Sequence, residues 1–503
     1  MAIDQPEMTI VAPRKHAFSQ RFQRKQGKKI QRLTQLLLIL SFLFVLSQFR
    51  EGLFEWSNFG FQSKGQCQIL NTSTPEQLSK LTSLDLKGCD LTELPASIKY
   101  ATSITRLDVS ENPALKTLPD ELVHCNKLSI LFASSCPGMK SLPLVLGKIP
   151  SVDRLGWRSG SLTSIDPHGL PPNLVHLILT DNNIRAIDDP LVFSKLSKIR
   201  KLMLSHNDIM SFGGKNGENI SQMKNLELLR LAGNKLSTIS NELWNLPNLT
   251  WLTISGNPVM QGLVKPSQVP YLSLEDLQPL NQELGKGASG QVSSYQYDDK
   301  EVAVKLIHGI TSDGNANDEL AVYGAVGDGT SKRIVGCIAL LKETKDGKKG
   351  VVMDKLPSNL KDFALPPTII EVTKDRWDSS SELSRQFVLN ALRDVATALL
   401  YLHNTVGVAH GDVYAHNMKV DPASGRIYLL DFGASFFTGP YKNEAEKLEV
   451  RAFGVLVGEL LELLVESEQD LLVKLMDLKQ RCTTTQVIDR PSFDVILDEI
   501  NSF

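Results

Sequence analysis

The stretch VAHGDVYAHNMKV (408–420), with RIYLLDFGASF (426–436) a short turn later, decides how this chain is read. The run before it, VLNALRDVATALLYLHN (388–404), carries apolar residues at helical period and reads as a long amphipathic helix. Polar groups then stand at fixed offsets: His410, Asp412, Asn417 and Asp431, the last opening the tripeptide Asp-Phe-Gly. Carboxylates and an amide oxygen are hard ligands of the kind that suits magnesium.

Working back toward the N-terminus, LGKGASGQV (284–292) spaces Gly285, Gly287 and Gly290 as a glycine-rich loop between two strands. Missing side chains there let backbone N–H groups approach phosphate oxygens. EVAVKLI (301–307) is an alternating strand whose Lys305 is the sort of point charge that pairs with nucleotide phosphates. Glu319 follows on a helix and can hold that lysine by an ion pair, with Asp318 as the competing assignment.

Taken in order, these motifs resemble the protein kinase fold from about Leu284 to the C-terminus. EVRAFGVLVGELL (449–461) is similar to the central helix of the larger kinase lobe, with Glu449 where the family has Asp. DRPSFDVILDEI (489–500) is similar to the last helix of the tyrosine-kinase-like group. The resemblance implies ATP and Mg2+ as cofactors and Asp412 and Lys305 as catalytic residues. It places nucleotide at Leu284, Gly285, Lys286, Gly287, Ala288, Ser289, Gly290, Gln291, Val292 and Lys305, with adenine on the hinge strand at Met353, Asp354 and Leu356. Glu319 is the implied ion-pair partner, and Asn417 and Asp431 the implied metal ligands.

The departures from the pattern bear on regulation and acceptor. Gly411 replaces the arginine that reads a phosphorylated activation loop. Tyr414 stands where serine/threonine kinases place a lysine that stabilises the transferring phosphate, and His416 where tyrosine kinases often have arginine. Only ASFFTGPYKNEAEKL (434–448) separates Gly433 from Glu449, without the Ala-Pro-Glu motif, so the segment that forms the peptide platform in the family is short here and Arg490 lacks its usual glutamate. A protein kinase acting on Ser/Thr, or on Tyr, is the reading these residues favour. A nucleotide-binding pseudokinase scaffold and a small-molecule kinase of the choline or aminoglycoside type are the alternatives.

The first half repeats itself about every 23 residues from Leu81. LTSLDLKGCDL (81–91), ITRLDVSENPAL, LSILFASSCPGM, VDRLGWRSGSL, LVHLILTDNNI, IRKLMLSHNDI, LELLRLAGNKL and LTWLTISGNPV (249–259) resemble leucine-rich repeats. Each copy is a short strand followed by an Asn or Cys able to bond the backbone of a turn: Asn112, Asn182, Asn207, Asn234 and Asn257, with Cys89 and Cys136 in two others. Those two cysteines are expected as buried thiols outside any disulfide, and the other four, Cys67, Cys125, Cys337 and Cys482, show no metal-type spacing, so no disulfide framework is read and a reducing compartment is favoured.

The fold class expected is therefore multidomain: a leucine-rich-repeat solenoid (α/β) over 81–259, a linker over 260–280, and a two-lobed kinase-like domain (α+β) over 281–503. A solenoid offers a long concave face for a protein ligand, and the kinase implies a protein substrate. A short connector would let the solenoid touch the kinase and restrain it. A net charge of −2 gives no pull toward nucleic acid.

Residues 1–32 form a basic tail, expected disordered, ahead of the uncharged LTQLLLILSFLFVLSQF (33–49), the membrane-anchor candidate; 50–80 read as connector and cap. The positive-inside rule would put everything after Arg50 across the membrane from the tail, while magnesium-ATP argues for the cytoplasm; the two conflict. Asn-x-Ser/Thr triplets at Asn71, Asn219 and Asn248 are candidate glycosylation sites.

Overall fold

Because each repeat alternates apolar and polar residues, one leucine per copy can face inward at the same register. In the computed structural model these copies form eight parallel strands: β1 (Ser83–Asp85), β2 (Arg106–Asp108), β3 (Ile130–Phe132), β4 (Arg154–Gly156), β5 (His176–Ile178), β6 (Lys201–Met203), β7 (Leu228–Arg230) and β8 (Trp251–Thr253). Leu84, Leu107, Leu131, Leu155, Leu177, Leu202, Leu229 and Leu252 pair in register as one buried ladder. The structure describes residues 66–503 apart from 288–289, 308–310, 312, 330–331, 346, 379–381 and 466–468. The basic tail and the apolar segment 33–49 lie outside the described residues.

An asparagine ladder closes each turn. Asn112 Nδ2 donates to Leu86 O (2.9 Å) and Val109 O (2.8 Å), while its Oδ1 accepts from Leu91 N (2.8 Å). Asn182, Asn207, Asn234 and Asn257 likewise donate to the carbonyls of the copy before. The residue ahead of the slot turns left-handed, φ +57° at His206 and +65° and +69° at Gly233 and Gly256. Cys136 fills the slot as a buried thiol, Sγ 3.2 Å from Val109 O.

Cys89 corrects the expectation of a free thiol: it is disulfide-bonded to Cys67, with 5.3 Å between Cα atoms. It belongs to the first copy, which has no earlier repeat to cover it, and the chain entering the helical cap Ile69–Thr72 brings Cys67 to it. The support that Cys89 lent to a reducing compartment is thereby withdrawn.

Beyond the solenoid, Tyr271–Leu272 joins the edge of a six-stranded sheet. The other members are β9 (Gln278–Gly287), β10 (Gly290–Tyr297), β11 (Lys300–Ile307), β12 (Cys337–Leu341) and β13 (Lys349–Asp354), in the order Tyr271–Leu272, β12, β13, β11, β10, β9. Helix α1 (Ala316–Val326), capped by the Asn315 side chain, packs on β12 and β13. Helices α2 (Arg385–Tyr401), α3 (Lys442–Leu463), α4 (Gln469–Cys482) and α5 (Phe493–Ser502) build the larger lobe.

Helix α3 begins seven residues before Glu449, so the link from Gly433 to the helix is only Ala434–Tyr441. The solenoid packs directly against this link. Tyr441 stacks on Trp244 of the solenoid (5.3 Å between ring centroids), and Ala409, Phe436, Ala445 and Leu448 join the solenoid's own apolar core. In return Leu228 and Trp251, projecting from the concave face, are buried in the apolar core that joins β11, α1, α2 and α3. The described residues fall within a single compact unit.

Candidate active site

Strand β11 turns Lys305 toward α1 and Asp431 because its neighbours Val304 and Leu306 face the other side of the sheet, in the apolar layer around Val302, Val352 and Leu341. Lys305 Nζ lies 2.7 Å from Glu319 Oε1 of α1 and 3.1 Å from Asp431 Oδ1. Glu319 makes this pair. Asp318 instead bonds Asn315 at the helix N-terminus and faces Gly256 of the solenoid. Burial works against the Lys305 charge, but Asp431 and Glu319 outweigh it and hold the amine well above the ordinary lysine value. Burial also raises Glu319, with the Lys305 charge opposing.

Ala303 and Met353 belong to a large buried core, and Leu284, Val292 and Leu356, partly buried, pack against that core. Ala303, two residues before Lys305 on the same face, went unremarked in the sequence, although VAVK carries it. Asp354 ends β13 and donates its backbone N–H to Gly336 O (3.0 Å). Across the hairpin Gly285 pairs with Val292, Lys286 with Gln291 and Gly287 with Gly290. A Cβ on Gly290 would meet Leu306 O at 2.2 Å, whereas Gly285 and Gly287 border open space. Ala288 and Ser289 lie outside the described residues.

The stretch His410–Asn417, the candidate catalytic loop, is held from both sides. Glu449 Oε1 of α3 accepts from Gly411 N (2.7 Å) and its Oε2 bonds His403 Nε2 (2.6 Å). His410 Nε2 lies 2.8 Å from Leu430 O, ahead of Asp431. Asn417 Nδ2 donates to Asp412 O and Asp412 Oδ2, both at 2.9 Å, which leaves its amide oxygen to act as a ligand.

From the opposite side come residues no kinase motif predicts. Arg230 of β7 pairs with Asp412 Oδ1 through Nη2 and donates from Nη1 to Gly411 O (3.0 Å). Its Nε sits 2.8 Å from Asp313 Oδ1, an ion pair by distance without hydrogen-bond alignment. Trp251 Nε1 donates to Val413 O (3.0 Å), and its indole lies flat on Tyr414, 4.1 Å between centroids and 9° between planes. His416 is engaged on its other side by Asp375 (Nδ1–Oδ1 2.6 Å).

Contacts with the solenoid bear on three departures. Gly411 sits at φ +75°, where a Cβ would lie 2.5 Å from Ala434 O and 2.7 Å from Leu252 O of the solenoid, so an arginine does not fit. Tyr414 exchanges a charge for a stacking surface. Arg490, 1% exposed, donates to Thr484 O, Lys447 O and, at 2.9 Å, to Pro247 O of the solenoid in place of a glutamate.

Enclosure works to raise Asp412, but the Arg230 guanidinium, and next the His416 charge, hold it below the ordinary carboxylate value. Asp431 is likewise low, because Lys305 outweighs its enclosure. Asp313 is pushed up by burial against the pull of Arg230.

The concave face is occupied farther along as well. Arg154 of β4 donates to Ile369 O (2.6 Å) and Ile370 O (3.2 Å), and Arg200 to Thr373 Oγ1 (2.9 Å), all in the segment between β13 and α2. Nothing in that segment's sequence had marked it as a docking element. Leu228 and Trp251, large apolar residues at outward-facing strand positions, were the available signal.

Residues 216–259 match the leucine rich repeat model, and residues 279–454 match the model of protein tyrosine and serine/threonine kinases. The chain is a leucine-rich-repeat array joined to a protein-kinase domain. Among curated proteins it is 26% identical to osteomodulin of Bos taurus over 200 residues, 40% of each chain. It is 29% identical to receptor-like protein 54 of Arabidopsis thaliana over 164 residues, 31% of this chain and 19% of that one. The chain thus spans less than half the length of these relatives.

Proposed function

We propose that the chain is a magnesium-ATP-dependent protein kinase transferring the γ-phosphate to a Ser or Thr hydroxyl, with Tyr as the rarer acceptor. The observation that carries this is the Glu319–Lys305–Asp431 chain of ion pairs together with the Asp412–Asn417 pair, both within electrostatic reach of Asp313. In this reading the nucleotide lies under Gly285–Val292, adenine rests against Leu284, Val292, Ala303, Met353 and Leu356, and Lys305 meets the phosphates. Asp412 orients the acceptor hydroxyl and takes its proton.

Asp431 and Asn417 suit magnesium: the first offers a carboxylate whose side chain is 43% exposed, the second an amide oxygen freed by its own Nδ2 bonds. Magnesium would neutralise phosphate charge, and positioning supplies most of the remaining catalysis.

A nucleotide-binding scaffold is the second reading, motivated by the pairing of Asp412 with Arg230. Full-length protein with magnesium-ATP and a basic acceptor protein separates the two: turnover abolished in Asp412→Asn with nucleotide binding retained supports the kinase, and binding without turnover in the wild type rejects it. Phosphoamino-acid analysis of the product distinguishes Ser/Thr from Tyr.

Membrane attachment is proposed through residues 33–49. Among the described residues no helix is long and apolar enough to cross a membrane. The Cys67–Cys89 disulfide favours the oxidising side for the rest of the chain. A C-terminal tag digested by protease outside sealed, cytoplasm-filled vesicles agrees with that side, and protection rejects it. Of the three candidate glycosylation sites, Asn71 is exposed, whereas Asn248 receives Arg451 Nη2 at 2.8 Å in the interface and cannot carry a glycan without opening it.

A further inference from the structure

We propose that Arg230 is a positioning residue of the phosphoryl-transfer site: the solenoid supplies, from β7, the cation that fixes Asp412 and that the catalytic loop itself lacks. This rests on the kinase reading above. The loop has Tyr414 stacked under Trp251 and His416 committed to Asp375, so neither offers a cation to Asp412 as its first partner. Arg230 does so, and it fastens the loop at two consecutive residues through separate nitrogens, Gly411 O through Nη1 and Asp412 Oδ1 through Nη2.

The arm that presents it is rigid. β7 lies between β6 and β8, and Leu228 and Trp251 on the same face are each 3% exposed within the kinase core. The guanidinium is pinned among Asp313, Gly411 and Asp412 with a side chain only 2% exposed, so its rotamer is fixed before substrate arrives. Arg230 also separates Asp313 from Asp412, two carboxylates that would otherwise repel across the site.

A restraining lid is the competing interpretation of the same ion pair, and two observations disfavour it. The Asp412 side chain remains 19% exposed, with Oδ2 directed to Asn417, so Arg230 braces the carboxylate without covering it. The junction is also an apolar core shared by both domains, with Arg490 buried across it, whereas a releasable lid would present a separable surface.

In the reaction so supported, the acceptor oxygen forms its bond to the γ-phosphorus as the bridging P–O bond breaks. ADP leaves with that electron pair, and the hydroxyl proton passes to Asp412. Arg230 touches none of the reacting atoms; it sets where Asp412 stands.

The test compares full-length wild type with Arg230→Gln and Arg230→Lys, using magnesium-ATP and a basic acceptor protein, alongside amide hydrogen exchange of residues 411–417. The expected result is a kcat loss of about 100-fold in Arg230→Gln with KM for ATP within about twofold, as misplacement of a reacting group predicts. Arg230→Lys should recover part of the loss. Exchange at 411–417 should quicken in Arg230→Gln while exchange under the glycine loop stays as in the wild type.

A rise in turnover in Arg230→Gln would overturn the proposal in favour of restraint, and unchanged kcat would overturn it outright. If the wild type itself shows no turnover, the kinase reading fails separately. The exchange experiment then still decides whether Arg230 fixes the loop, with unchanged rates at 411–417 rejecting it.

Discussion

Gly411 is where two domains press on one residue. Its φ of +75° alone costs an L-residue about 1–2 kcal/mol, and the two carbonyls within 2.7 Å of a Cβ belong to different parts of the chain, Ala434 and Leu252. Gly411→Ala is therefore expected to lower stability by about 2–4 kcal/mol in urea unfolding. Gly411→Arg, which restores the usual kinase residue, should lose the fold and gain no activity. That Gly411 departs from the kinase pattern was legible in the sequence. The reason was not, since Leu252 lies 159 residues earlier and the clash exists only after the solenoid docks.

A second residue gives a pH dependence. Glu459 is buried, bonded to Trp377 Nε1 at 3.2 Å and repelled by Asp375, and burial first, then Asp375, pushes its carboxyl to about 8. Lys374 and Glu462 also face it, with opposite effects. A carboxyl that binds its proton more tightly when folded loses stability as pH climbs from its unfolded value near 4.5 to its folded value. Glu459→Gln should match the wild type near pH 5 and exceed it by about 2–4 kcal/mol at pH 9, read by thermal melts across that range.

At the scale of elements, β8 meets the catalytic loop through Trp251, which stacks on Tyr414 and bonds Val413 O, and through the Leu252 carbonyl beside Gly411. Trp251 is 3% exposed and spends its indole N–H on Val413 O, so Trp251→Ala removes an aromatic stack, a hydrogen bond and the filling of an apolar site. A loss of about 3–5 kcal/mol is expected in chemical denaturation. Trp251→Phe should recover the stacking and not the hydrogen bond.

The strands themselves were readable, because a period of about 23 residues with leucine and asparagine at fixed places can fold in few ways. The kinase elements were readable for the same reason, with each motif announcing its strand or helix. What was not readable is which outward-facing positions meet what. Leu228, Arg230 and Trp251 stand at variable positions of the repeat, and their partners are specified by the other domain. The segment 365–376 shows the same limit: it carries no motif, yet Arg154 and Arg200 bind its backbone and Thr373. Cys89 shows a limit of another kind, since the repeat pattern predicts its slot and the partner lies in the cap.

For the whole molecule, the apolar clusters shared by the two domains lead to the prediction that nucleotide, bound where proposed, stabilises the repeats as well. Leu228 and Trp251 lie in the kinase core while Phe436 and Leu448 lie in the solenoid core, so unfolding either domain exposes apolar surface of the other. A fragment starting at residue 270 would lack Leu228, Arg230, Trp251 and the Pro247 carbonyl that Arg490 uses, and is expected to be unstable. Activity measured on such a fragment would therefore report lost structure and say little about restraint.

Nucleotide binding offers the cleaner measurement. Magnesium-ATP at about 100 times its Kd stabilises the state that binds it by about 2.7 kcal/mol. If β7 and β8 unfold together with the kinase lobe, their amides should gain protection of that size on adding nucleotide, although they lie in a different domain from the site. If hydrogen exchange at 228–230 and 251–253 does not slow while exchange in α2 and α3 does, the domains unfold independently and the shared core has been overvalued. Joint slowing would mean that the repeats are held in place by the same interactions that hold the catalytic loop.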